Sequence, residues 1–194
     1  MRVGVLASGR GSNFEALVTG ARTYEVVVLV SNRPNAPVLE RAHRLSVPAY
    51  VVPQAAGAAA AARNAWEEEL AQRLIAASVH WVALAGFDRL LGPTFLAKFP
   101  DRIVNVHPSL LPAFPGRNAQ AQALAHGVKI TGCTVHRVDE YQDHGPILAQ
   151  AAVPVLDGDT AETLAARILV EELKLYPATL NSLSQLLRMS LSSQ

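Results

Sequence analysis

A chain of 194 residues, of which 50% are hydrophobic, is long enough to bury a core without disulfides or structural metals. Its 17 Lys and Arg residues are nearly balanced by 16 Asp and Glu residues and form no basic block, which argues against nucleic-acid and membrane partners and favours small-molecule ligands. The single Cys excludes an internal disulfide, and the N-terminus lacks a charged segment followed by a long apolar run, so we expect a cytoplasmic protein.

Apolar, β-branched segments alternate with amphipathic segments through the first half of the chain. They predict strands at residues 2–8, 25–31, 48–53, 80–86 and 102–107, separated by helices at 13–20, 38–45, 64–77 and 93–99. Apolar strands that are connected by helices favour a parallel sheet covered on both faces. We therefore expect an α/β fold with three layers around a mostly parallel, twisted sheet.

The second half of the chain departs from this alternation. Segments 129–138 and 146–155 flank an acidic loop and are expected to pair antiparallel, which gives the sheet an antiparallel edge. A last helix is predicted to begin after the cap-like residues 157–160 and to run toward Leu187, with a kink or boundary at Pro177. No linker is evident, so residues 1–194 are predicted to form a single domain.

The segment ASGRGSN, residues 7–13, joins the first predicted strand to the first predicted helix. Gly9 and Gly11 allow a tight turn, and a helix that begins near Ser12 and Asn13 presents unpaired N–H groups that suit a phosphate. The segment matches neither the dinucleotide-binding nor the ATP-binding glycine pattern. Taken alone, it is equally well interpreted as a phosphate loop or as an ordinary strand-to-helix turn.

The segment NVHPSLLPAFPG begins at Asn105. Side chains alternate along a strand, so Asn105 and His107 are expected on one side and Val104 and Val106 on the other. Both polar side chains would emerge at the carboxyl end of the strand, where open α/β sheets bind ligands. They form either part of a ligand site or a pair of hydrogen-bonded polar residues at a strand end.

The acidic segment DEYQDHGP, residues 139–146, lacks the ligand spacing of a calcium loop, and no His or Cys pair supports zinc, so no metal is expected. A carboxylate from this segment that reached His107 would fix the tautomer of the ring and favour an imidazolium. Otherwise the segment is a solvated hairpin. Structural or surface positions are predicted for His43, His80, His126 and His136, and a core position for Cys133.

Five segments, in order along the chain, resemble the glycinamide ribonucleotide formyltransferase family of folate-dependent enzymes: ASGRGSN, LAGFDRLL, NVHPSLLP, GCTVH and DHGPILAQ. The resemblance extends from Met1 to about Tyr176. It implies the formyltransferase fold, which is Rossmann-like. It also implies an enzyme of purine biosynthesis that transfers the formyl group of its cosubstrate, 10-formyltetrahydrofolate, to the amine of glycinamide ribonucleotide.

The resemblance assigns roles to individual residues. The family's catalytic residues fall on Asn105, His107 and Asp143, its substrate phosphate loop on Gly11, Ser12 and Asn13, and the carboxylate on the amine and ribose side of the substrate on Glu172. The folate pocket falls on Arg63, Phe87, Asp88, Arg89, Leu90, Leu91, Val138, Asp139, Glu140, Tyr141 and Gln142. Residues 1–100 would then form the phosphate- and substrate-binding half, and residues 101–194 the catalytic and folate-binding half.

The implied chemistry is direct attack of a neutral amine on the formyl carbonyl. The Asn105 amide and a protonated His107 would donate hydrogen bonds to the developing oxyanion. Asp143 would hold His107 in its charged form and accept, through water, the proton that the amine releases.

Some positions differ from the family pattern, namely Asp88, Ala113, Arg137, Leu169 and residues 117–124. None of them is one of the three implied catalytic residues. The alternatives are a formyltetrahydrofolate hydrolase, a formyltransferase that acts on another small amine, and a nucleotide- or folate-binding module without catalysis. A monomer and a homodimer are both compatible with the sequence.

Overall fold

A computed structural model describes residues 1–54 and 59–192 of the chain. The strands are β1 Arg2–Leu6, β2 Glu25–Ser31, β3 Ala49–Val51, β4 Trp81–Leu84, β5 Ile103–His107, β6 Ile130–Arg137 and β7 Ile147–Pro154. The helices are α1 Ser12–Thr19, α2 Val38–Arg44, α3 Ala60–Ala76, α4 Pro93–Leu96, α5 Ala119–Ala125 and α6 Ala161–Ser192.

The strands form one sheet in the order β3-β2-β1-β4-β5-β6-β7. Strands β1 to β5 pair in parallel, whereas β6 pairs antiparallel with both β5 and β7. The predicted α/β class, with a mostly parallel sheet and an antiparallel edge, is therefore confirmed. The strand order reverses between β1 and β4, and in open sheets of this type ligands bind at the carboxyl ends of the strands near such a reversal.

Each face of the sheet carries its own core. On one face, Phe14 of α1 and Ile168 of α6 pack with Val104 of β5. On the other, Leu70 of α3 and Phe95 of α4 pack with strand residues from β1, β4 and β5. The helices thus form one layer above the sheet and one below, as expected for strands that are apolar on both faces.

The last helix was predicted to run toward Leu187 with a kink or boundary at Pro177, and α6 continues through Pro177 as one helix to Ser192. A proline inside a helix removes one backbone hydrogen bond. Here the ring packs against Gly20, where a Cβ would lie 2.7 Å from the Cβ of Pro177. The neighbouring Tyr176 is fully buried, and its hydroxyl lies 3.0 Å from the carbonyl oxygen of Val104. Tertiary packing therefore holds the helix on both sides of the proline.

Three other helices differ from the sequence-based prediction by more than one residue. Helix α4 ends at Leu96, three residues before its predicted end. Helix α3 begins at Ala60, four residues before the predicted start, in an alanine-rich segment with high helix propensity. Helix α5 was not predicted, because its buried face consists only of Ala119 and Ala123, which give little hydrophobic periodicity.

Candidate active site

Asn105 and His107 lie on the same face of β5, at its carboxyl end. Val104 and Val106 point to the opposite face, into the core beneath α6. The His107 residue is only 5% exposed, whereas Asn105 is half-buried. The side chains of β5 therefore alternate between the two faces of the sheet as the sequence predicts.

Both ring nitrogens of His107 face hydrogen-bond acceptors. Nδ1 lies 3.3 Å from Oδ2 of Asp143, and Nε2 lies 2.9 Å from the carbonyl oxygen of Phe114. The Asp143 carboxylate also accepts a hydrogen bond of 2.8 Å from the backbone N–H of Gly116. An imidazolium ring at this position would have both of its N–H groups paired. The contact between a loop carboxylate and His107 is thus present, and Asp143 does not belong to a solvated hairpin.

The loop after β5 is anchored from the antiparallel edge of the sheet. The Thr134 hydroxyl donates to the carbonyl oxygen of Ser109 at 2.7 Å, and the Gln150 amide donates to that of Leu111 at 2.9 Å. The Leu111–Pro112 peptide bond is cis. These contacts place the Phe114 carbonyl group against His107.

His136 also belongs to the site, although the sequence predicts a structural or surface role for it. It lies opposite Asn105 in the β5–β6 pair, and its Nε2 is 3.4 Å from Nδ2 of Asn105. Its Nδ1 is 2.8 Å from the carbonyl oxygen of Arg137, so Nδ1 carries a hydrogen and donates it. Burial lowers the pKa of His136, although the Arg137 carbonyl and Asp143 oppose this effect. The lowered pKa favours the neutral ring, whose unprotonated Nε2 would accept a hydrogen bond from the Asn105 amide. The same Nε2 lies 3.7 Å from Oδ1 of Asp143.

A cleft of about 980 Å³ opens at the carboxyl ends of β4 and β5. It is lined by Asn105, His107 and Asp143 and by every residue predicted for the folate pocket, namely Arg63, Phe87, Asp88, Arg89, Leu90, Leu91, Val138, Asp139, Glu140, Tyr141 and Gln142. Ten further lining residues were not predicted as site residues: Arg33, Leu84, Gly86, Gly92, Pro93, Leu96, Val106, Gly116, Arg117 and His136. Arg33 follows the carboxyl end of β2, and the strand-end rule that singled out Asn105 would have found it.

Asp88 is an acid at a position where the family resemblance implies an apolar residue, and the structure provides partners for it. Its Oδ1 accepts a hydrogen bond of 2.9 Å from Asn32, and Arg33 forms an ion pair with Oδ2. The backbone N–H of Asp88 donates to the Ser8 hydroxyl at 3.0 Å. Burial acts to raise the pKa of Asp88, but the hydrogen bonds from Asn32, Ser8 and Arg33 outweigh it and lower the pKa. Asp88 thus links the ends of three strands.

The predicted phosphate loop lies outside the residues that line the cleft. Gly11 has a left-handed φ of 82° and provides no side-chain cap to α1, which begins at Ser12. The Asn13 amide nitrogen donates to Oε2 of Glu172 at 2.7 Å, while Oδ1 of Asn13 has no partner. Burial raises the pKa of Glu172, and the hydrogen bond from Asn13 opposes this shift. The structure therefore brings the phosphate loop and Glu172 together.

Within residues 1–54 and 59–192, no group of three or more His, Cys, Asp and Glu residues is arranged to hold a metal ion. No helix in the same part of the chain has both the length and the apolar character needed to cross a membrane.

A cleft at the strand ends that brings an amide, an imidazole and a carboxylate together has the geometry of an enzyme active site. Residues 1–180 match the family model described as formyl transferase, and the chain belongs to this family. It is 43% identical over 183 residues to a phosphoribosylglycinamide formyltransferase of Bacillus subtilis, with 92% of each chain covered. The crystal structure of glycinamide ribonucleotide transformylase 1 from Symbiobacterium toebii is 49% identical and has a TM-score of 0.90, covering 95% of this chain and 88% of that one.

A third relative is the trifunctional purine biosynthetic protein adenosine-3 of Drosophila melanogaster. The identity is 42% over 185 residues, which are 92% of this chain but only 14% of the fly protein. The chain therefore corresponds to one part of that larger protein.

Proposed function

We propose that the protein transfers the formyl group of 10-formyltetrahydrofolate to the amine of glycinamide ribonucleotide, a step of purine biosynthesis. The observation that carries the proposal is that Asn105, His107 and Asp143 line one cleft in a member of the formyl transferase family. The choice of acceptor is supported by the names of the relatives from B. subtilis and S. toebii.

The proposed reaction creates a negative oxygen when a neutral amine attacks the formyl carbon. The Asn105 amide nitrogen carries two hydrogens, of which one faces His136 and the other can be donated to that oxygen. One preorganised donor of this kind typically accelerates acyl transfer by about 10²- to 10³-fold. His136 would therefore orient the amide and leave one N–H group for the reaction.

His107 would act on the same oxygen through its positive charge. Both of its ring N–H groups face acceptors, on Asp143 and on Phe114, so this role differs from the direct donation that the family resemblance implies. Asp143 would accept, through water, the proton that the attacking amine releases. The tetrahedral intermediate would then collapse, the bond between the formyl carbon and N10 of the folate would break, and N10 would take up a proton as tetrahydrofolate leaves. No covalent intermediate with the protein is required, because orienting the amine and the formyl carbon provides much of the acceleration.

The phosphate of glycinamide ribonucleotide would bind at the start of α1. Ser12 and Asn13 occupy its first turn, whose backbone N–H groups lack intrahelical partners and suit an anion. The Asn13 side chain instead offers an unpaired carbonyl oxygen next to the Glu172 carboxylate. Two acceptors side by side fit the amine and hydroxyl groups of the substrate.

The folate would bind in the cleft between the 87–91 loop and the 138–142 loop. Backbone groups of these loops would bind the pterin. The carboxylates of the folate tail would lie near Arg63 and Arg89, which line the cleft.

The protein would act without a metal, a nucleic acid or a membrane, in the cytoplasm and as a monomer or homodimer. Residues 1–194 would function as a single formyltransferase domain. Residues 1–100 would contribute the phosphate and substrate site, and residues 101–194 the catalytic residues and part of the folate site. Arg63 and the 87–91 loop add folate contacts from the first half.

The proposal is tested by mixing the protein with 10-formyltetrahydrofolate and recording the folate absorbance with and without glycinamide ribonucleotide. We expect deformylation only when the amine is present. Deformylation without the amine would identify a hydrolase instead. No change in either mixture, together with folate-induced thermal stabilisation, would identify a binding module or an enzyme for another small amine.

A further inference from the structure

A buried carboxylate lies behind the 87–91 loop, outside the residues that line the cleft. Glu67 belongs to α3, and its side chain is 1% exposed. Oε1 accepts a hydrogen bond of 2.8 Å from the backbone N–H of Gly92, and Oε2 accepts one of 3.2 Å from that of Phe95. A buried charge without partners is strongly unfavourable, so these contacts hold Glu67 and the chain around Gly92 together.

Gly92 is matched to this carboxylate. It is the residue before α4 and has no side chain with which to cap the helix, so Glu67 supplies the cap from α3. A Cβ on Gly92 would lie 2.8 Å from Oε1 of Glu67. The φ of Gly92 is −96°, which any residue adopts, so the contact with Glu67, and not the backbone conformation, requires a glycine here.

Glu67 also orients Arg63, one helical turn earlier in α3. Nε of Arg63 lies 3.1 Å from Oε1 of Glu67, and Nη2 of Arg63 donates to the carbonyl oxygen of Leu90 at 3.1 Å. The chain from Leu90 to Gly92 is therefore fixed at one end by Arg63 and at the other by Glu67. Arg63 and Leu90 both line the cleft.

We propose that Glu67 is a positioning residue for the formyl folate, which fixes the 87–91 loop and the Arg63 guanidinium group in the geometry that binds the cosubstrate. This inference rests on the proposed function, because it concerns the folate side of the same cleft. The phosphate loop at Gly11 and the residue Glu172 have no contact with Glu67 in the hydrogen bonds and ion pairs described. Loss of the carboxylate is therefore expected to affect the folate and not glycinamide ribonucleotide.

The test is Glu67→Gln, which keeps the size of the side chain but removes the charge and one of the two acceptor oxygens. We expect the KM for 10-formyltetrahydrofolate to rise about tenfold, as for the loss of one charged hydrogen bond, while kcat and the KM for glycinamide ribonucleotide stay within about twofold. The matched control is Glu68→Gln at the next position, whose side chain is 41% exposed and paired with Lys98. We expect it to change none of the three constants by more than about twofold.

Gly92→Ala disturbs the contact between Gly92 and the Glu67 carboxylate while leaving Glu67 in place. It therefore tests the proposal even if Glu67→Gln is unstable. It is expected to raise the KM for the folate in the same way, because the new methyl group displaces the carboxylate. Since both changes break one contact, the double variant is expected to be no worse than the more severe single variant. Thermal unfolding of each variant reports whether it is folded at the assay temperature.

The inference is overturned if Glu67→Gln and Gly92→Ala both bind the folate as the wild type does. It is also overturned if the KM for the folate and the KM for glycinamide ribonucleotide rise equally, which would indicate a general structural role. Calorimetric titration with 10-formyltetrahydrofolate gives the same comparison without turnover. A wild-type protein that binds the folate but does not formylate glycinamide ribonucleotide would overturn the proposed acceptor while leaving the Glu67 comparison valid. A wild-type protein that binds no folate would overturn both proposals.

Discussion

Asn105 and His107 each depend on a neighbour for their orientation. Asp143 and the Phe114 carbonyl group fix the His107 ring, and His136 takes one hydrogen of the Asn105 amide. The groups that would meet the reacting oxygen are thus held before the substrate arrives, which is how an enzyme avoids reorganisation during the reaction.

His107→Ala is expected to lower kcat by about 10²- to 10³-fold, because it removes the charge that would stabilise the oxyanion. Binding of glycinamide ribonucleotide is expected to be unchanged, since the phosphate loop and Glu172 do not contact this ring. Single-turnover kinetics and calorimetry measure the two quantities. The control is His43→Ala, at an exposed residue of α2. Full activity of the His107 variant would refute its role.

Because the pKa of His136 is lowered, part of the free energy of unfolding is expected to depend on pH. The pKa is lowered on folding, so below about pH 6.5 the unfolded chain takes up a proton that the folded ring resists, and unfolding becomes more favourable. This contribution is complete above pH 6.5 and is lost as the pH falls through the lowered pKa of the folded state. We expect the free energy of unfolding to fall less steeply in acid for His136→Gln than for the wild type, as measured by urea unfolding at several pH values.

The matched control for this measurement is His43→Gln, at an exposed position of α2. In this variant, the free energy of unfolding is expected to fall with decreasing pH as steeply as in the wild type. Equal slopes for the wild type and the His136 variant would show that the ring does not resist protonation in the folded protein.

The turn between β1 and α1 shows how one element positions a binding group. Gly11 has a φ of 82°, and a Cβ there would lie 2.5 Å from Cγ2 of Val38 on α2. Gly11→Ala is expected to cost about 1–3 kcal/mol of stability through backbone strain and to raise the KM for glycinamide ribonucleotide, because the start of α1 must shift. Thermal unfolding and steady-state kinetics measure both effects.

Gly9→Ala is the comparison, because a Cβ at Gly9 meets no atom within 4 Å and its φ is not in the left-handed region. We expect it to change stability by less than about 1 kcal/mol. Similar losses in the two variants would contradict the geometric argument for Gly11.

At the scale of the molecule, the sequence predicts the sheet well because its pattern is local. Apolar strands separated by helices are sufficient to predict a mostly parallel sheet, and the acidic loop between two apolar segments indicates the antiparallel edge. The passage of α6 through Pro177 is not predictable in this way, because it depends on the contact with Gly20 and on the burial of Tyr176, both of which join distant parts of the chain.

In the cleft too, local patterns are predictable from the sequence, whereas contacts between distant parts of the chain are not. Asn105 and His107 are two residues apart, so strand alternation alone places them together. The position of His136 requires the register of β6 against β5, in which it lies opposite Asn105, and no local pattern fixes that register. Glu67 was also missed, since its partners Gly92 and Phe95 lie at the start of α4, far from Glu67 along the chain.

In the proposed reaction, the cleft joins the formyl carbon of the folate directly to the amine of glycinamide ribonucleotide. The most direct measurement is a single turnover with 10-formyltetrahydrofolate labelled with carbon-13 in the formyl group, followed by NMR of the products. We expect the label to appear in the formyl amide of glycinamide ribonucleotide, at a rate equal to the loss of formyl folate. Label that appears in formate, with glycinamide ribonucleotide unchanged, would contradict it.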